Sequence, residues 1–130
     1  LHDGMCICAP LTAKYAALAA LTGDQDCVAQ FRGEIVKRAR LVEKRMAELP
    51  RFSSQPLAGA YYAFPKVQGL KDSVGYCLDL LRSERVVTVP GSAFGPTGEG
   101  HVRLSYCMEE LAINQAFDRL AAFEKKQGHG

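Results

Sequence analysis

The apolar positions change period several times along the chain, and each change marks a new element. Residues 10–22 read Pro-Leu-Thr-Ala-Lys-Tyr-Ala-Ala-Leu-Ala-Ala-Leu-Thr, an alanine- and leucine-rich run that predicts a helix. Pro10 suits its first turn, where a missing N–H costs nothing, and Gly23 is placed to end it. So many alanines imply close packing against a large surface, which this chain has little to supply. From about 26 to 48 a long amphipathic helix follows. Val28, Phe31, Ile35, Val42, Met46 and Leu49 recur at three- and four-residue steps or their sums, so they share one face. Asp24 or Asp26 can cap its start, and Pro50 stops it. Gly33 inside it costs about 1 kcal/mol relative to alanine. At about 1.5 Å per residue the helix exceeds about 30 Å, long for so short a chain.

Beyond Pro50 the periods shorten. Residues 59–67, Gly-Ala-Tyr-Tyr-Ala-Phe-Pro-Lys-Val, predict an aromatic strand, with Pro65 at an edge or end because it cannot donate a ladder bond. Alternation sends the adjacent Tyr61 and Tyr62 to opposite faces, so at most one lines a cleft. Asp72 or Ser73 should cap a helix whose buried face is Val74, Cys77, Leu78 and Leu81. Residues 85–89 read as a β-branched strand. Four glycines and two prolines make 90–100 a loop of tight turns. Residues 101–106 alternate as a strand, separating Arg103 and Ser105 from Val102, Leu104 and Tyr106. A last helix starts near Glu109, with Ile113, Phe117 and Leu120 inside and a negative first turn. The tail 128–130 should be frayed. The sum is an α+β module, a short β-sheet packed by helices.

Composition narrows the function. At 130 residues, with 48% hydrophobic and 23% charged, the chain has one ordinary soluble domain's worth of core-forming residues. No window approaches the roughly eighteen consecutive apolar residues of a membrane span, and no membrane partner is expected. Basic residues number 16 and acidic 14. The charges are mixed along one solvated helix face at Lys37, Arg38, Arg40, Glu43, Lys44 and Arg45, so nucleic acid is not an expected partner. Five cysteines with no repeated spacing make a poor disulfide framework and fit a reducing cytoplasm. Cys6 and Cys8 have no second close pair after them, so no metal is expected. The start lacks a basic region leading into an apolar one and has no initiator methionine. It reads as an internal point of a longer polypeptide.

Few residues remain that could carry chemistry. The glycine loop fails as a nucleotide-phosphate loop, because Gly98 is followed by Glu99 rather than by Lys and Ser/Thr. It also runs between strands instead of opening a helix. Ser92 has no His and Asp at triad spacing. His101 reads as a strand-end histidine, and nothing marks Lys14 as a Schiff-base lysine. Arg103 is the notable residue, a charge flanked by Val102 and Leu104. Two readings stay open from pattern alone. It forms a structural salt bridge to a local carboxylate, or it is a planar fork held for a substrate carboxylate.

Three ordered motifs, Gly59-Ala-Tyr-Tyr-Ala-Phe-Pro65, Val89-Pro-Gly-Ser-Ala-Phe-Gly95 and Gly100-His-Val-Arg-Leu-Ser-Tyr106, resemble the C-terminal region of class I/II aminotransferases. These are fold-type-I pyridoxal-phosphate enzymes, including aspartate and aromatic aminotransferases. Residues 10–21 resemble the helix that follows the family's catalytic-lysine segment, so the likeness spans nearly the whole chain. The resemblance implies that Arg103 binds the substrate α-carboxylate, with Ser92 and Phe94 as neighbours. It also implies that Gly59 lets backbone approach the site closely. The long helix then links domains, with 1–25 the end of the large cofactor domain and 26–130 the C-terminal small domain. Leu1–Cys8 resembles a segment near the subunit interface of the family's homodimers.

The resemblance also places the Schiff-base lysine, the aspartate on the pyridine nitrogen, the cofactor tyrosine and most of the phosphate cup upstream. The chain is therefore expected to be a fragment with no catalytic residue of its own, binding no pyridoxal phosphate and inactive alone. The full-length enzyme would act on an amino acid and a 2-oxo acid. Lyases and synthases of the same fold share parts of this region. The alternatives in other classes are a stand-alone amino-acid-sensing or regulatory α+β module and a non-catalytic interaction protein.

Overall fold

Proline and glycine bracket the first helix as the sequence predicts. In the computed structural model, which describes residues 8–128, helix α1 (Leu11–Thr22) starts after Pro10 and ends at Gly23, whose N–H donates to Ala19 O. Its residues are all exposed, including Leu11, Tyr15, Leu18 and Leu21. Helix α2 (Asp26–Ala47) begins where Asp24 Oδ1 accepts the Asp26 N–H at 2.9 Å. The chain forms two compact units, one ending at Gly33 and the next starting at Glu34, so the boundary lies inside α2. The apolar stripe expected along one face of α2 divides there too. Val28 and Phe31 are exposed, whereas Ala39, Val42, Met46 and the following Leu49 are buried. Among the described residues the stripe meets a core only over its C-terminal half.

The second unit holds two small antiparallel sheets. Strand β1 (Phe52–Ser53), which the sequence did not announce, lies against a later strand. The predicted strand 59–67 is broken into β2 (Tyr62–Ala63) and β3 (Lys66–Val67). The break falls at Pro65, which has no N–H but whose carbonyl accepts from Val102 N at 3.2 Å. Helix α3 (Ser73–Glu84) follows, then β4 (Val89–Pro90), 3₁₀ turns at Gly91–Phe94 and Pro96–Gly98, strand β5 (Val102–Ser105) and helix α4 (Glu110–Lys126). One sheet pairs β1 with β3; the other has the order β2-β5-β4.

Two expectations are corrected. The strand over 85–89 shrinks to its last residue plus Pro90, because Arg85 takes φ 58° as the left-handed cap of α3, its N–H donating to Leu81 O. The inward face of α3 is Ser73, Cys77 and Leu80. Of the predicted set, Val74, Leu78 and Leu81 are exposed and Cys77 alone is buried. The helix is rotated because Ser73, polar by type, is drawn inside by hydrogen bonds. Against this, α4 buries Ile113, Phe117 and Leu120 as its period predicts, and adds Phe123. Of the tail 128–130 expected to fray, 129–130 lie outside the described residues, as do 1–7 of the Leu1–Cys8 segment expected near a subunit interface.

Charges taken into this core are paired. Glu124, 3% exposed, accepts from Tyr76 Oη at 2.7 Å and meets Arg51 at 3.2 Å. Burial first, and that hydrogen bond second, push the Tyr76 phenol well above its usual range.

What fixes the glycine loop is a single carboxylate. Glu99 Oε1 accepts the N–H groups of Ser73 (2.8 Å) and Gly100 (3.0 Å). The Ser73 hydroxyl bridges Glu99 Oε2 (3.2 Å) and Ser92 Oγ (2.9 Å). Glu99 therefore satisfies an orphan donor at the α3 N-terminus, while Asp72 caps the helix by accepting the Gly75 N–H at 2.8 Å, as predicted. The backbone bonds from Gly100 and Ser73 hold the Glu99 carboxyl below its ordinary range. The two 3₁₀ turns touch through backbone: a Cβ on Gly98 would sit 2.1 Å from Gly91 O.

This anchoring can be tested by glycine replacement and by acid. Gly98→Ala should lose about 1–3 kcal/mol in urea unfolding through overpacking. Gly33→Ala, where a Cβ meets nothing within 4 Å, should gain about 0.5–1 kcal/mol. Because the folded-state value of Glu99 is depressed, its contribution is present above the unfolded carboxylate range. That contribution is lost as pH falls through the folded value. Urea midpoints measured on the acid side should fall less steeply with pH in Glu99→Gln than in the parent protein.

Candidate functional site

Strand β5 is the middle strand, and its register decides what Arg103 meets. Val89 lies opposite Arg103, and Tyr62 opposite Ser105. Residues 103 and 105 share a face, so Tyr62 is the diagonal neighbour of Arg103, within reach of a ring. The Arg103 Cζ lies 4.4 Å from the Tyr62 ring centroid. Phe94, carried by the turn after β4, approaches to 5.0 Å. One ring thus comes from the flanking strand β2 and the other from the turn that follows β4, on the opposite side of β5.

Among the described residues no anion accompanies them. Among the described residues the ion pairs with other partners join Arg45 to Asp118, Arg51 to Glu124 and Lys126 to Glu84, with local helix pairs besides. Arg103 has neither an ion pair nor a hydrogen bond to a described residue. Of the two readings open in the sequence, the local salt bridge is not formed with any described residue. Arg103 is half-buried, with its guanidinium against aromatic surface and donors still to satisfy.

The rings continue outward. Phe94 meets Phe64 edge-on at 5.6 Å, and Phe64 stacks on His101 at 5.0 Å and 8°. His101 Nδ1 also lies 3.3 Å from Glu99 O. His101 is therefore half-buried in an aromatic strip. Tyr61 and Tyr62, expected on opposite faces, instead bring their rings to 4.3 Å. The correction has a local cause: the strand begins only at Tyr62, and Ala60 at φ 59° turns the chain just before Tyr61. The side-chain hydrogen bond with Tyr62 raises the Tyr61 phenol above its usual range.

The remaining predicted residues are placed as follows. Phe94 joins Arg103. Ser92 does not; its hydroxyl and N–H are engaged with Ser73, so it holds the turn that carries Phe94. Gly59 is exposed, and a Cβ there would meet nothing within 4 Å, so the close approach expected at it has no counterpart among the described residues. Lys14 is exposed in α1. Sequence reasoning missed Phe64, although it lies in a quoted motif, and missed Glu99 as an anchor. An apolar cavity of about 340 Å³ runs along Leu104, Tyr106, Ile113 and Phe117, with exposed Arg85 and Arg119 at its rim. Arg103 is not part of it, and the charge of Arg103 rather than cavity size marks the candidate site. Among the described residues no group of three His, Cys, Asp or Glu could hold a metal, and no helix is long and apolar enough to cross a membrane.

Known proteins share both this sequence and this geometry, although no family model matches the chain. The aromatic-amino-acid aminotransferase 2 of Thermococcus litoralis is 36% identical over 118 residues, 88% of this chain and 30% of that protein. The aspartate aminotransferase of Pyrococcus abyssi is 38% identical over 111 residues, 82% of this chain and 28% of that protein. Among solved structures, an alanine aminotransferase from Pyrococcus furiosus superposes with a TM-score of 0.86 at 33% identity, covering 92% of this chain and 31% of its own. The chain thus spans about a third of the length of the relatives it matches. It belongs to the aminotransferases, as a C-terminal portion of the fold-type-I family.

Proposed function

We propose that this chain supplies the substrate-carboxylate contact of a pyridoxal-phosphate-dependent aminotransferase, with Arg103 gripping the α-carboxylate of an amino acid and of a 2-oxo acid. One observation carries the reading: a half-buried arginine on a central strand, with no anion beside its guanidinium among the described residues. A planar fork binds a carboxylate by two parallel charge-assisted hydrogen bonds, which fixes its plane as well as its position. The rings of Tyr62 and Phe94 lie against that fork.

The residues around Arg103 do not themselves fit the cofactor. Their described contacts are aromatic, with neither a lysine amine nor a carboxylate among them. Pyridoxal phosphate would supply the electron sink in the full-length enzyme, held by residues outside this chain. The chain by itself is accordingly proposed not to transaminate. Residues 1–25 are proposed to end the large domain and 26–130 to form the small one. The exposed Leu11, Tyr15, Leu18 and Leu21 support a covering surface outside the chain. The parent is proposed to be a cytoplasmic homodimer, in keeping with the unbridged Cys27, Cys77 and Cys107.

Arg103→Lys in the full-length enzyme should cut kcat/KM by roughly 30- to 150-fold, about 2–3 kcal/mol of transition-state binding. A point charge cannot replace the two-bond fork. Steady-state kinetics checks this, and unchanged turnover would contradict the assignment.

A further inference from the structure

We infer that Tyr62 and Phe94 are positioning residues that make the site selective for a planar carboxylate over a tetrahedral oxyanion. The inference rests on the reading of Arg103 as the carboxylate ligand and adds what holds that ligand and what it rejects. A binding arginine is usually steered by a hydrogen bond to one of its own nitrogens. Arg103 has none from a described residue. Its described restraints are two ring contacts, at 4.4 Å and 5.0 Å from Cζ. Rings attract a guanidinium through their negative faces, and with Cζ over both rings here they crowd the space around a fork whose donors lie in its plane.

Both rings are placed by backbone rather than by chance. Tyr62 is set by the β2–β5 register. Phe94 sits in the turn that Ser92 ties to Ser73, and Ser73 to Glu99. Phe64 then meets the edge of Phe94 and limits how far that ring can swing. A carboxylate lying in the guanidinium plane takes two N–H bonds and leaves the rings untouched. A phosphonate grasped by the same two bonds must put its third oxygen out of that plane, where the ring faces of Tyr62 and Phe94 crowd it and offer no donor. The site therefore discriminates by shape as well as charge.

The test uses the full-length polypeptide carrying this chain. Its best donor among the common amino acids is compared with the α-aminophosphonic acid of the same side chain, each as a competitive ligand. Tyr62→Leu and Phe94→Leu should each weaken the carboxylate roughly two- to tenfold, raising KM more than they lower kcat, and should narrow the carboxylate-to-phosphonate ratio. The ring-retaining Tyr62→Phe and Phe94→Tyr should recover that ratio relative to the leucine variants. Phe94 is 52% exposed, so its leucine variant decides the matter even where Tyr62→Leu fails to fold. If Phe94→Leu leaves affinity and ratio unchanged while Arg103→Lys weakens binding, the positioning role is overturned and the function stands. If Arg103→Lys also changes nothing, the functional reading itself has failed.

Discussion

A cation drawn partly out of water must be repaid in charge, in hydrogen bonds or in polarisable surface. Arg103 receives only the last from its own described unit, through the rings of Tyr62 and Phe94. Elsewhere in the same unit the rule is obeyed with anions: Arg51 faces Glu124, and Arg45 faces Asp118. The contrast within one small core is what supports the proposed role of Arg103 as a binding group. An arginine kept for architecture would show the pairing that Arg51 shows.

The fold around it serves to place that one side chain. Arg103 is on the middle strand of three, so both neighbours fix its backbone. The turn after β4 is pinned from two directions, by backbone contact between Gly91 and Gly98 and by the carboxylate of Glu99 at the start of α3. Ser92 belongs to this clamp. Its hydrogen bonds to Ser73 hold the turn that carries Phe94 toward Arg103.

Much of this was legible in the sequence because local physics decides it. Asp72 before an apolar period, Pro10 and Gly23 around an alanine run, and the three-and-four spacing of Ile113, Phe117 and Leu120 each act within a few residues. The alternation over Val102–Ser105 also separated Arg103 from the core side. What escaped depends on partners distant in sequence. The diagonal between Tyr62 and Arg103 exists only once the register is set. The rotation of α3 follows from Glu99, 26 residues beyond Ser73. The exposed Val28 and Phe31 obey a perfect helical period, and periodicity cannot say whether a partner surface lies within the chain. The strand over 85–89 failed because a left-handed cap at Arg85 has no glycine to announce it.

The most direct measurement is a crystal structure of the full-length polypeptide with a 2-oxo acid bound. The account predicts the α-carboxylate in the plane of the Arg103 guanidinium, with two N–H···O distances near about 2.7–2.9 Å. A carboxylate seated elsewhere, with Arg103 paired to a side chain of its own polypeptide, would contradict it.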